Sequence, residues 1–242
     1  MNFSRNLSTD ISGASRVGPA LFVQYGCGLS APKNWINFDS SPRLRLEKMP
    51  IVSSIVLALA GRLFPKNVRV GNIVRGLPVP ERSARAVYCS HVLEHLPRDE
   101  LPVALKNTLR ILVPGGIFRL VVPDLVWRAK CYLDTVATQD RSAADTFLEA
   151  CLLGRRRRPR SLMGIARDYL GGSAHFWMYD FASLKALLEE AGFTGVRRCE
   201  FGDSADPAFG EVEDRERFFD QGQPELAIEA LRPQEHNSRG RS

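Results

Sequence analysis

Residues 86–124 read AVYCSHVLEHLPRDELPVALKNTLRILVPGGIFRLVVPD, and this stretch decides the fold. Residues 86–90 are a short apolar run, the pattern of a strand covered on both faces of a parallel sheet. A turn follows that carries His91, Glu94 and His95. Residues 98–112 have apolar side chains at 101, 104, 105, 109 and 112, a helical period. Pro114, Gly115 and Gly116 predict a turn. Residues 117–122 predict a second buried strand, apolar at every position except Arg119. Strand, helix and strand in this order predict a βαβ unit.

The same reading extends in both directions. Residues 20–25, 35–39 and 68–72 predict three strands upstream, with a helix over 43–64 closed by Pro65 and a Pro-containing loop at 77–80. Downstream, residues 125–153 read as two helical pieces, and a further helix falls near 161–170. A helix over 181–191 has Asp180 as its N-cap and Gly192 as its stop. Residues 196–201 and 226–231 predict the last two strands. Seven strands alternating with helices predict an α/β, doubly wound, mostly parallel sheet with helices on both faces. The predicted organisation is a polar arm at 1–19, one domain over 20–232 with a helical insertion at about 125–179, and a polar, disordered tail at 233–242.

The chain has 242 residues and a formal charge of +6. The excess sits in Arg155, Arg156, Arg157, Arg158, Arg160, Arg239 and Arg241; without them the chain is near neutral. That distribution argues against a nucleic-acid footprint and for a local patch at 155–160, read as a solvated loop or as a contact to an anionic surface. Five cysteines, at 27, 89, 131, 151 and 199, include no C-x-x-C pair, so reduced thiols and a cytoplasmic location are expected. The N-terminus lacks the apolar stretch of a secretory signal. The longest apolar run, IVSSIVLALAG at 51–61, is too short to cross ~30 Å of hydrocarbon; it suits a core helix or one lying on a membrane surface.

Two motifs carry chemistry. Gly26 and Gly28 follow the first strand, and Asp39 ends the second. Glycines let backbone turn sharply beside a ligand, and the carboxylate can accept the two hydroxyls of a ribose. Residues 26–31 also fit the dinucleotide fingerprint G-x-G-x-x-A, but its acid is expected about 20 residues on, well beyond Asp39. Only the nine residues 26–34 join the two strands, too few for a crossover helix. A nicotinamide cofactor would lose its pyrophosphate-binding helix N-terminus, whereas S-adenosylmethionine (SAM) carries no phosphate and loses less. The second motif, His91-x-x-Glu94-His95, has three readings. It spells an inverted zinc-peptidase motif, with His91 and His95 on one helix face. It suits a ligand-lining segment at the carboxyl end of a strand. It also suits side chains that hydrogen-bond to hold a turn.

FVQYGCG at 22–28, HVLEHL at 91–96, LVPGG at 112–116 and LVVPDL at 120–125 together resemble class I SAM-dependent methyltransferases. HFWMYD at 175–180 and FGDSADPAF at 201–209 resemble the closing segment of a short-loop subgroup associated with polysaccharide and cell-surface glycan assembly. The resemblance implies a Rossmann-like methyltransferase sheet whose last strand runs antiparallel. It implies SAM as cofactor, contacted by Gly26, Cys27, Gly28, Asp39, Asn72, Ile73, Ser90 and His91, and a small-molecule or glycan acceptor; no nucleic-acid partner and no metal are expected. Asn72 stands where the family prefers an acid facing the adenine amine, and Ser83-Ala84-Arg85 where it often has Ser-Phe-Asp. A hydroxyl acceptor needs its proton removed, and His95, Asp124 and His175 are the candidate groups; Asp124 reads equally as the N-cap of the next helix, and His175, Trp177 and Tyr179 read as an acceptor lid or as an aromatic packing cluster. The competing functions are a SAM-binding module without turnover and a zinc hydrolase using His91 and His95.

Overall fold

The computed structural model describes residues 20–49, 63–154, 174–220 and 222–235. In chain order, the strands are β1 Leu21–Tyr25, β2 Ile36–Asp39, β3 Val68–Val70, β4 Ala84–Ser90, β5 Leu112–Val122, β6 Thr194–Arg198, β7 Phe219–Asp220, β8 Gln223–Pro224 and β9 Leu226–Leu231. The helices are α1 Pro42–Glu47, α2 Leu101–Ile111, α3 Leu125–Ala137, α4 Ala143–Ala150, α5 Phe181–Ala191 and α6 Arg215–Phe218, with 3-10 turns at Leu93–His95 and Pro207–Glu211. Seven strands make one sheet in the order β3-β2-β1-β4-β5-β9-β6, and β7 and β8 form a separate small hairpin. The expected doubly wound sheet is present. β9, the last strand, is antiparallel to both neighbours and sits between β5 and β6, so β6 is the edge.

One face of the sheet is covered by α2 and α5. Leu101, Leu105, Leu184 and Leu188 are fully buried there against Val87, Cys89, Phe118 and Leu120. Each such leucine contributes about 1.5–3 kcal/mol of transfer free energy. Asp180 and Gly192 bound α5 as expected: Asp180 Oδ1 accepts Ser183 N–H at 2.7 Å, and Gly192 takes the left-handed φ of +103°.

Residues 26–35 form turns and no helix, as their number requires. Part of the opposite sheet face is covered instead by the segment 207–218, which the sequence reading left without elements. Phe209, Val212 and Phe218 pack there with Trp35, Tyr88 and Val121.

Three expected elements differ. The helix over 43–64 is α1 only in its described part: it runs Pro42–Glu47, capped by Ser41, and residues 63–64 are not helical. Pro114, Gly115 and Gly116 do not reverse the chain but form a bulge inside β5. Gly115 N–H donates to Arg232 O at 3.0 Å and Arg232 N–H to Gly116 O at 2.9 Å, so the segment stays paired beside the end of β9. The strand over 196–201 is β6, shifted to Thr194–Arg198. The arm at 1–19, the apolar run at 51–61, the arginines at 155–160 and the helix near 161–170 lie outside the described residues. Among the described residues, no helix is long and apolar enough to cross a membrane.

Candidate functional site

The carboxyl ends of β1, β2, β3 and β4 lie side by side, and the turns leaving them form the candidate site. Gly26 takes φ +65°, and a Cβ there would overlap Val92 Cγ2, so glycine is required where the first turn passes under the turn after β4. Gly28 takes φ +54° and has open space beside it. Its N–H donates to Asp39 Oδ2 at 3.0 Å, and Ser41 N–H donates to Asp39 Oδ1 at 2.8 Å. Each carboxylate oxygen keeps a lone pair for a further donor. Gln24 Nε2 donates to Ser30 O at 2.8 Å, and Asn37 Nδ2 to Pro32 O at 2.9 Å, which hold the rest of the short turn. Cys27 is buried; burial, then the Asp39 charge, push its thiol up to about 12, so it is a neutral wall.

A cleft of about 320 Å³ opens over this turn, lined by Gly26, Cys27, Gly28, Tyr88 and Ser90 on one side and by Val212, Asp214 and Arg217 on the other. Asp214 and Arg217 were not singled out from the sequence; the charged run EDRER at 213–217 reads as a solvated surface until the fold brings it over the glycine turn.

Asn72 and Ile73 follow β3, and Gly71 N–H donates to Asp39 O at 3.0 Å, which keeps this turn beside the Asp39 backbone. Asn72 Oδ1 accepts from Val74 N–H at 2.8 Å and Arg75 N–H at 3.3 Å, an Asx turn. The Ile73 side chain is buried in the core. Ser90 Oγ lies 3.0 Å from His91 Nδ1. His91 holds φ +54°, a conformation rare outside glycine and costly in strain. Burial pushes the His91 pKa down to about 4, so its ring is neutral.

The three acceptor-side candidates separate. His95 and His175 come together, with ring centroids 4.9 Å apart. Asp124 is committed to structure: Oδ1 caps α3 by accepting Val126 N–H at 2.9 Å, and Oδ2 accepts from Arg198 Nη1 at 3.3 Å. The neighbour the sequence reading left out of the catalytic set is Glu94, whose side chain is fully buried beside the two imidazoles. Its backbone carbonyl accepts N–H groups from Phe176 at 2.8 Å and Trp177 at 3.2 Å, which docks the 174–178 segment onto the turn after β4. Trp177 and Phe176 are exposed, whereas Tyr179 is buried. His91 and His95 do not share a helix face, because the helical part of the motif is the single turn Leu93–His95.

A family model described as "Methyltransferase domain" matches residues 21–198. A probable methyltransferase, ltbC, of Aspergillus luteorubrus is 42% identical over 48 residues, which are 19% of this chain and 17% of that protein. Among solved structures, a SAM-dependent methyltransferase from Methanosarcina mazei is 16% identical with a TM-score of 0.46, over 90% of this chain and 95% of that one. Magnesium protoporphyrin IX methyltransferase from Synechocystis, solved with bound SAH, is 15% identical with a TM-score of 0.44, over 90% of this chain and 76% of that one.

Proposed function

We propose that this chain, which belongs to the methyltransferase-domain family, is a SAM-dependent enzyme that methylates a hydroxyl of a sugar, a glycan intermediate or another small hydroxylated metabolite. The observation that carries the reading is the cleft over a glycine turn braced by Asp39. The residues there fit the cofactor: a carboxylate with lone pairs to spare, a glycine with open space beside it, and walls from β4.

SAM supplies a methyl group already activated on a sulfonium, so the protein's main task is positioning. Asp39 accepts the ribose hydroxyls. Asn72 and the Ile73 backbone border the adenine. Gly26, Cys27, Gly28, Ser90 and His91 hold the methionine portion. Arg217, exposed on the far wall, offers a cation to its carboxylate. The acceptor enters where the 174–178 segment meets the turn after β4. An imidazole pair at that wall can take a proton from a hydroxyl or hold a cation against it.

The sugar or glycan assignment rests on the likeness of residues 175–180 and 201–209 to the glycan-associated subgroup. It is tested by incubating the protein with methyl-labelled SAM and a panel of glycans, nucleotide sugars and small hydroxylated metabolites, read by mass spectrometry. Label on a sugar hydroxyl supports it. Label only on nitrogen or carbon acceptors overturns the O-methylation reading. SAM binding with no labelled product in any arm would make the chain a binding module.

A further inference from the structure

We propose that Glu94, His95 and His175 form a binding site for a divalent cation of the zinc class, which ties the 174–178 segment to the turn after β4. The three side chains offer one carboxylate oxygen and two ring nitrogens that all lie within 4.8 Å of one another. They come from residues about 80 positions apart, joined by backbone bonds that do not involve the side chains, from Phe176 and Trp177 N–H to Glu94 O.

The polar atoms facing this point lack partners. Glu94 is fully buried, and neither carboxylate oxygen has a hydrogen bond. His175 Nδ1 is also buried and unpartnered. Buried polar atoms are nearly always paired, and an unpaired carboxylate is among the costliest exceptions.

The His95 tautomer is set for ligation. Its Nδ1 lies 3.1 Å from Ala174 O; a carbonyl only accepts, so Nδ1 carries the hydrogen. The free lone pair is then on Nε2, 3.9 Å from Glu94 Oε1. An imidazole oriented by a backbone carbonyl in this way is the usual support of a metal-ligating histidine.

Two imidazoles and one carboxylate suit zinc, and three protein ligands leave a fourth position open. Ligand atoms around a tetrahedral zinc lie about 3.3 Å apart, given bonds of ~2.0–2.1 Å, so side-chain adjustments of about 1–1.5 Å close the site. The open position would face an incoming hydroxyl; that consequence rests on the methyl-transfer reading, but metal binding does not.

The test uses the full chain, stripped with chelator, dialysed against zinc chloride and analysed for metal, with affinity from calorimetry. One retained equivalent is expected. Glu94→Gln and His175→Ala should each weaken binding by about 100-fold or more, while His91→Ala, outside the cluster, should bind as the parent does. Circular dichroism checks folding; should Glu94→Gln fail to fold, His175→Ala, on a segment outside the sheet, decides the matter. Cobalt substitution adds a signature, since a tetrahedral site gives intense visible bands. Absence of stoichiometric zinc, parent-like affinity in His175→Ala, or loss of binding in His91→Ala would each overturn the proposal. None of these readouts needs turnover, so failure here is distinguishable from failure of the methyltransferase reading.

Discussion

Gly28 donates its backbone N–H to Asp39 Oδ2 across 3.0 Å, so the carboxylate proposed to hold the ribose also shapes the turn beneath it. Asp39→Ala therefore removes two things at once. The expected loss of SAM affinity is about 1–3 kcal/mol, the scale of hydrogen bonds to a charged group. Calorimetry on the folded variant checks it, and unchanged affinity would remove Asp39 from the cofactor site.

Asn72→Asp should tighten SAM binding by about 1 kcal/mol, the difference between a neutral and a charge-assisted hydrogen bond. Asn72 spends its oxygen on Val74 and Arg75 N–H, which leaves the NH₂, a donor, as its other polar group. An aspartate keeps the turn with one oxygen and offers the other to the adenine amine. Equal or weaker affinity would mean that residue 72 does not border adenine.

Gly26→Ala should destabilise the protein by about 2–4 kcal/mol, combining a left-handed backbone with overpacking. The added methyl overlaps Val92 Cγ2. The double variant with Val92→Ala should recover the steric part and leave the backbone part, which a thermal or denaturant double-mutant cycle measures. Additive effects would show that the two turns do not touch.

Arg119 is fully buried in β5 directly opposite Glu229 in β9. It donates to Glu213, to Asp203 at 2.9 Å and to Glu229 at 3.1 Å. Arg119→Met should cost about 3–5 kcal/mol in denaturant unfolding, because it strands carboxylates rather than because the network is strong. Adding Glu213→Gln and Glu229→Gln should restore part of that loss; no restoration would point to packing as the cause.

Asp203 supplies a pH dependence. Burial alone would raise its pKa, but hydrogen bonds from Arg197, the Glu200 backbone and Arg119 outweigh it and hold the carboxyl at about 2 against its usual 3.8. A folded value below the unfolded one stabilises the fold above pH ~4 and loses that contribution as pH falls through ~2. The group is partly exposed, so the contribution is about 1 kcal/mol after screening. Asp203→Asn should flatten the stability profile between pH 4 and 2 relative to the parent, measured by thermal unfolding at each pH.

Much of the fold was legible because its signals are local. The apolar runs became β1, β4 and β5; Asp180 and Gly192 bounded α5; and the short link after β1 excluded a helix. Asp124 could be read as catalyst or cap, and the α3 backbone claims it as a cap. Pro114-Gly115-Gly116 spells a turn, but pairing with Arg232, far along the chain, holds it inside a strand. The 207–218 segment carried no periodicity, and its place against Trp35 and Tyr88 follows from the sheet face left open beside the short turn.

By itself, then, the sequence determined the succession of strand, helix and strand in the βαβ core, the glycine turn with its acid, and the family. These depend on side-chain patterns within windows of about ten residues. Only the tertiary structure decided that Arg217 reaches the glycine-turn cleft, that Asp124 meets Arg198, and that His175 meets Glu94 and His95. Those meetings join residues about 80 to 190 positions apart. They exist because sheet burial and backbone hydrogen bonds pay the chain-closure entropy, and no local pattern encodes that balance.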